Sequence, residues 1–170
     1  MKRMFRLAAV ALSLTWSLSA LAVDFSGTWT LDASASGSMN PILALQGVGW
    51  ARRQRAERLD AKVSITQAGD RLTAVYDNAT GQQKQVLVFD GRPHETVNPA
   101  GITTTFSTAW HDGETRLVSS GPSASDDGAT GTLTETRTLS SDGQTLTVVV
   151  QVTTSDGRKA STTRVLRKAP

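Results

Sequence analysis

The sequence predicts an all-β protein: an antiparallel up-and-down β-barrel of about eight to ten strands, with a short helical insertion after the first strand. Three observations carry this prediction. Asp-Gly pairs recur at Asp90-Gly91, Asp112-Gly113, Asp127-Gly128, Asp142-Gly143 and Asp156-Gly157. Between them, apolar and polar residues alternate with period two, the mark of a half-buried sheet. The runs are also rich in Thr and Val, which suit a pleated surface and are poor choices in helices.

Each Asp-Gly pair reads as a two-residue hairpin turn of type I′. That turn needs positive φ at both central positions, which Gly accepts freely and Asp tolerates. The last four pairs lie 15, 15 and 14 residues apart. Taking out a turn leaves strands of roughly ten residues, longer than the common mode. Long strands joined by tight turns fit a barrel better than an immunoglobulin-type sandwich, whose turn signals fall every ~8–12 residues.

The expected strands are Phe25–Leu31, Lys62–Gln67, Arg71–Asp77, Gln85–Phe89, Ile102–Trp110, Thr115–Ser120, Gly131–Leu139, Gln144–Thr153 and Lys159–Arg167. In Gln144–Thr153, Leu146, Val148, Val150 and Val152 share one face. In Ile102–Trp110, Ile102, Thr104, Phe106, Thr108 and Trp110 share one face. The segment Pro41–Asp60 breaks the alternation. Asn40 before Pro41 reads as an N-cap followed by Pro at the first helical position. Ile42, Leu43, Leu45, Val48 and Trp50 give this segment an apolar half, and Arg52, Arg53, Arg55 and Arg58 give it a basic half. It is expected to be partly helical and to lie over a barrel mouth. As a lid it closes a cavity and as a plug it fills one; the sequence leaves both open.

The first residues, Met1-Lys2-Arg3-Met4-Phe5-Arg6, precede an apolar run from Leu7 to Leu21 that ends in Ala20-Leu21-Ala22. This is the pattern of a secretory signal peptide over residues 1–22. The run is short of the ~20 apolar residues a spanning helix needs. The remaining 148 of 170 residues, 23–170, are expected to form one barrel domain, periplasmic or secreted, without stable membrane insertion. Lys2, Arg3 and Arg6 leave with the peptide, so Lys and Arg together fall from 18 to 15, equal to the 15 Asp and Glu. The alkaline balance of the whole chain is therefore a targeting feature and gives no reason to expect a nucleic-acid partner. With no Cys, the domain relies on burial and strand pairing for its stability.

Catalysis requires a nucleophile or base with a partner. The chain has only His94 and His111, beside Glu95 and Asp112. These adjacent pairs would point alternately on strands, so they read as solvated turn residues and no metal site is assigned. No Gly-x-Ser-x-Gly elbow, phosphate loop or Cys–His set appears. No catalytic residue and no cofactor are expected. The basic cluster of the insertion reads as a solvated helix face, with docking of an anionic group as the other reading.

The opening Asp24-Phe25-Ser26-Gly27-Thr28-Trp29-Thr30-Leu31-Asp32 resembles the first strand of lipocalins and their calycin relatives, which carries Gly-x-Trp, here Gly27 and Trp29. The turn pattern of Gln67–Leu72, Leu139–Leu146 and Thr154–Arg158 is similar to that of exported bacterial lipocalin-like proteins. The resemblance implies a barrel closed at one end, where Trp29 packs under a late-strand Arg, either Arg164 or Arg167. The function expected is a soluble, non-enzymatic cell-envelope binding protein holding a small apolar or amphipathic molecule. Its lining would come from Ile42, Trp50, Tyr76, Thr104, Phe106, Thr108 and Trp110. The alternative is a filled barrel acting as an interaction or inhibitor module through loops, with Gly121–Gly128 as the candidate loop.

Overall fold

A computed structural model describes residues 22–57, 62–78, 81–99, 101–124 and 130–170. The expected leader therefore lies outside the described residues, except for Ala22, as do Arg58, Asp60 and the Asp127-Gly128 pair. Among the described residues the alternating runs form ten strands. The chain begins with β1 (Gly27–Leu31) and passes through two short helices, α1 (Asn40–Leu45) and α2 (Trp50–Glu57). It continues as β2 (Lys62–Ala68), β3 (Arg71–Asn78), β4 (Gly81–Val88), β5 (Pro93–Val97) and β6 (Thr103–His111). The last four strands are β7 (Arg116–Ala124), β8 (Thr130–Leu139), β9 (Thr145–Thr154) and β10 (Lys159–Lys168).

All pairings are antiparallel, in the order β4-β3-β2-β1-β10-β9-β8-β7-β6-β5. The sheet curls until its edge strands, β4 and β5, face each other. No ladder joins them; Val86 N–H donates to Thr96 Oγ1 across the seam at 3.1 Å. The result is a nearly closed all-β barrel with two short helices after its first strand. On β9, Leu146, Val150, Val152 and Thr154 are buried, and on β6 Phe106 and Thr108 are, as the alternation requires.

One strand escaped the sequence reading. Pro93–Val97 is not among the expected strands, and His94 and Glu95 read as turn residues, but the segment pairs with β6 from Pro93↔Ser107 to Val97↔Thr103. Pro takes the first position of this edge strand, where no ladder N–H is needed. His94 thus sits on an edge strand, its Nε2 2.9 Å from Asp90 Oδ1, and His111 ends β6 in an exposed position. The expected loop is also corrected: Gly121 to Ala124 belong to β7, paired with β8 as far as Ala124↔Thr130. A Cβ at Gly121 would stand 2.3 Å from the Thr105 carbonyl oxygen, so only glycine lets β7 pass β6 this closely.

The turns use their Asp-Gly pairs differently from a two-residue I′ turn. Among the described pairs, both residues have positive φ only at Asp112 (53°) and Gly113 (65°). At Ser140–Gly143 and Thr154–Gly157 only the glycine is left-handed, and its N–H donates to the carbonyl of the first turn residue at 2.9 and 3.0 Å. These are type I turns closed by a glycine bulge. The Asp side chain instead acts as a local acceptor: Asp142 Oδ1 takes the Ser140 hydroxyl and the Gln144 N–H, and Asp156 Oδ1 takes the Thr154 hydroxyl and the Arg158 N–H. Those hydroxyls first, and the N–H groups with them, hold both carboxyls below their ordinary range. Protonation is therefore harder in the folded state than in the unfolded one. The stability gained is present above the unfolded Asp value of about 3.9 and is lost as pH falls through the lower folded values. The urea midpoint should hold from neutral pH down to about pH 5 and decline below about pH 4. Asn at both positions should shallow that decline.

The helix pair starts one residue earlier than expected. Asn40 is the first helical residue, Met39 precedes it without a side-chain cap, and Ser38 Oγ accepts the Asn40 N–H at 3.0 Å. Gly47, at φ 74°, separates the two helices. Ile42 is buried against Val150 and Val152, which seats α1 on β9 and β10. Gln46 Nε2 then reaches across the mouth to Ser123 Oγ on β7 at 3.0 Å.

The opposite end is shut by the residues ahead of β1. Val23 N–H donates to the Glu114 carbonyl, and the Gln67 side chain bonds the backbones of both Val23 and Phe25. Phe25 and Trp29 are fully buried there, with Trp110 stacked on Phe25 at 5.8 Å. Trp29 Nε1 donates to the Phe25 carbonyl at 3.0 Å. The cation over Trp29 is Lys168, with Nζ 5.5 Å from the ring centroid, and not the expected Arg164 or Arg167. Arg167 has the wrong strand parity and pairs outside with Asp32, while Arg164 shares the inward parity but lies further up the barrel.

Candidate functional site

Strand parity decides what the barrel contains. Below mid-height the inward positions carry Phe25, Trp29, Leu72, Leu87, Phe106 and Leu117, which fill the space with their own side chains. Above them, beneath the helix pair, a cavity of about 240 Å³ remains. Most of its wall is apolar: Met39, Ile65, Leu146, Val148, Val150 and Leu166 among others. Four polar side chains join that wall, namely Tyr76, Glu135, Arg137 and Arg164. The barrel is thus half filled and half open, a combination of the two expectations for its interior.

Glu135 and Arg137 enter the interior because β8 reads Leu133-Thr134-Glu135-Thr136-Arg137-Thr138-Leu139. The threonines alternate with a Leu-Glu-Arg-Leu set, so whichever face takes the leucines also takes the two charges. Arg137 Nη2 donates to Glu135 Oε2 at 2.6 Å, with side-chain exposures of 4% and 15%. Its Nη1 lies 3.4 Å from Ser119 Oγ, which also accepts the Thr108 hydroxyl at 3.0 Å. Tyr76 comes from β3, five strands from β8 in the sheet order and therefore on the opposite wall. Its hydroxyl donates to Gln85 Oε1 at 3.2 Å and lies beside the Arg137 guanidinium. The cluster forms a polar floor between the filled half and the open half.

Electrostatics follow from this burial. Desolvation pushes the Tyr76 phenol up, with the Arg137 charge acting against it. For Arg137 desolvation acts downward, but the Glu135 carboxylate and then Tyr76 outweigh it, so the guanidinium is held charged more firmly than in water. Arg164, nearer the rim, donates to the Gly37 carbonyl at 2.9 Å. Burial lowers its pKa, and the Glu57 carboxylate on α2 opposes that shift.

Of the seven residues expected to line a pocket, the structure places only Tyr76 in the cavity wall. Ile42 is sealed between α1 and β9. Phe106 belongs to the filled half, and Trp110 to the closed end, where it also meets Phe89 edge-on. Thr108 lies under the floor and touches it through Ser119. Thr104 sits near the end of β6, half-buried and paired with Thr96. Trp50, expected as the lid residue, is 68% exposed on α2 and outside the cavity wall. The Gly47 break puts Trp50 on a second helix, so it does not share one continuous helical face with Ile42. Arg53 turns back to donate to the Val48 carbonyl. Among the described residues no cluster of three or more His, Cys, Asp or Glu could hold a metal, and no helix is long and apolar enough to cross a membrane.

No protein-family model matches the chain, and no curated protein matches it by sequence. Solved structures do match, over nearly their full length. A REP1-NXSQ fatty acid transporter superposes with a TM-score of 0.67 at 14% identity, covering 85% of this chain and 96% of that one. A fatty acid binding protein of Schistosoma mansoni, in complex with arachidonic acid, gives 0.64 at 20% identity, covering 86% and 96%. The zebrafish ileal bile acid-binding protein with cholic acid gives 0.65 at 15%, covering 85% and 98%. The shared feature is the fold, a calycin-type barrel of ten strands with a helix pair after the first.

Proposed function

We propose that this chain is an exported, non-enzymatic carrier that holds a small apolar or amphipathic molecule in the upper half of its barrel, in the cell envelope or outside the cell. The observation that carries this reading is the cavity itself: about 240 Å³, walled mainly by aliphatic side chains and bounded below by a few convergent polar groups. Concave, largely apolar sites with a small number of placed polar groups are the usual form of small-molecule pockets. At about 30 Å³ for each water's share of the liquid, the volume equals roughly eight waters, which suits a short ligand. The likeness to barrels that hold fatty acids and bile acids supports a small cargo with a large apolar part. Export rests on the leader-like residues 1–22, and the domain on residues 23–170.

The helix pair is the natural entrance. One side of it is anchored by Ile42, and the other is fastened across the mouth by the Gln46–Ser123 hydrogen bond. An apolar fluorescent probe should bind the purified protein near one-to-one. Val148→Trp, which fills the cavity from its wall, should weaken that binding by at least about tenfold, roughly 1.4 kcal/mol. Equal probe binding by wild type and this variant would refute the carrier reading.

A further inference from the structure

We infer that the polar floor selects ligands with an uncharged hydrogen-bonding head, such as an alcohol or amide, and rejects carboxylates, because Glu135 already occupies the guanidinium of Arg137 as an internal counter-ion. The inference rests on the carrier reading and specifies the cargo's chemistry. An isolated buried arginine would be a strong site for an acid. Here the charge is met at 2.6 Å by a carboxylate two residues along the same strand, with Arg137 buried and Glu135 half-buried beside it. A ligand carboxylate approaching Arg137 would share one guanidinium with Glu135. Two like charges would then stand within a few ångströms where little water screens them, which costs more than the extra hydrogen bond returns.

A neutral head meets no such opposition. Guanidinium N–H groups, the Tyr76 hydroxyl and the Glu135 carboxylate offer donors and an acceptor together with no net charge. Behind Tyr76 and outside the cavity wall, Gln85 Nε2 is buried without a partner among the described residues. The second cation of the wall does not restore an acid site. Arg164 is half-buried at the rim, donates to the Gly37 carbonyl, and has the Glu57 carboxylate of α2 near it.

Isothermal titration with decanol and decanoate at neutral pH tests this. Wild type should bind decanol at least about tenfold more tightly than decanoate. Glu135→Gln keeps a hydrogen-bond acceptor for Arg137 but removes the negative charge, and should reverse the order in favour of decanoate. Glu135→Gln combined with Arg137→Gln removes both charges and should keep the alcohol preference. Decanoate binding to wild type as tightly as decanol would overturn the inference and leave the carrier reading intact. Unchanged selectivity in a folded Glu135→Gln variant would also overturn it. Should that variant fail to fold, the wild-type comparison and the doubly substituted protein decide the matter. Binding of neither compound to any form would overturn both the inference and the carrier reading.

Discussion

Trp29→Ala should destabilise the protein by roughly 3–5 kcal/mol, a large part of the 5–15 kcal/mol available to an ordinary domain. The indole is fully buried at the closed end, its Nε1 donates to the Phe25 carbonyl, and Lys168 covers its face. Alanine would leave a void among Phe25, Val63 and Leu166, strip a buried carbonyl of its donor, and remove the surface on which Lys168 rests. Denaturant unfolding of wild type and variant measures the difference. A loss below about 0.5 kcal/mol, the range of ordinary surface substitutions, would show that the closed end repacks without its anchor.

The second large effect concerns the ion pair in the floor. Glu135→Ala should cost about 3–5 kcal/mol, because it leaves the Arg137 charge buried without its carboxylate. The double variant Glu135→Ala/Arg137→Met should recover most of that loss, since a buried pair replaced by apolar groups is often close to neutral. The non-additivity is the point of the measurement: residues in direct contact couple, and the cycle isolates that coupling. If the double variant is as unstable as the sum of the single ones, the two side chains do not act as a pair and the floor is held by Tyr76 and Ser119 instead.

The fold was largely readable in the residues because its two signals, period-two alternation and turn chemistry, are both local. Nine of the ten strands follow from them to within a few residues. β5 does not, since Pro93-His94-Glu95 offers neither alternation nor β-formers, and only its pairing partner β6 makes it a strand. The four described Asp-Gly pairs fall between strands as expected, but at Asp142-Gly143 and Asp156-Gly157 the turn is not of the expected type. The side-chain bonds of Asp142 and Asp156 shift the turn by one residue, and these depend on Ser140 and Thr154 upstream.

The site was much less readable. A pocket depends on which strands face each other across the barrel, and Tyr76 and Arg137 are brought together only by curvature. Hydrophobicity alone points Trp50 inward, but it stands exposed on the second helix, beyond the break at Gly47. One signal of the site does lie in the residues of β8. In Leu133-Thr134-Glu135-Thr136-Arg137-Thr138-Leu139, the charges fall on the leucine face and not on the threonine face. A charged pair at the inward parity of an otherwise apolar strand is the pattern by which such a buried pair can be found.

The strand order also bears on how the chain reaches its final form. β1 to β4 form one run of neighbours and β5 to β10 another, each made of sequential strands. They meet at β1–β10, where Leu31 pairs with Leu166, and they face each other without a ladder at β4–β5. Local hairpins can form early in each run, but the junction must bring together strands from the two ends of the domain. Closing so long a loop is entropically expensive before its contacts repay it, and such non-local pairing slows folding. Until β10 docks, β1 keeps a bare edge, and the void beneath the helices has no complete wall. The cavity is therefore complete only once β10 has docked on β1.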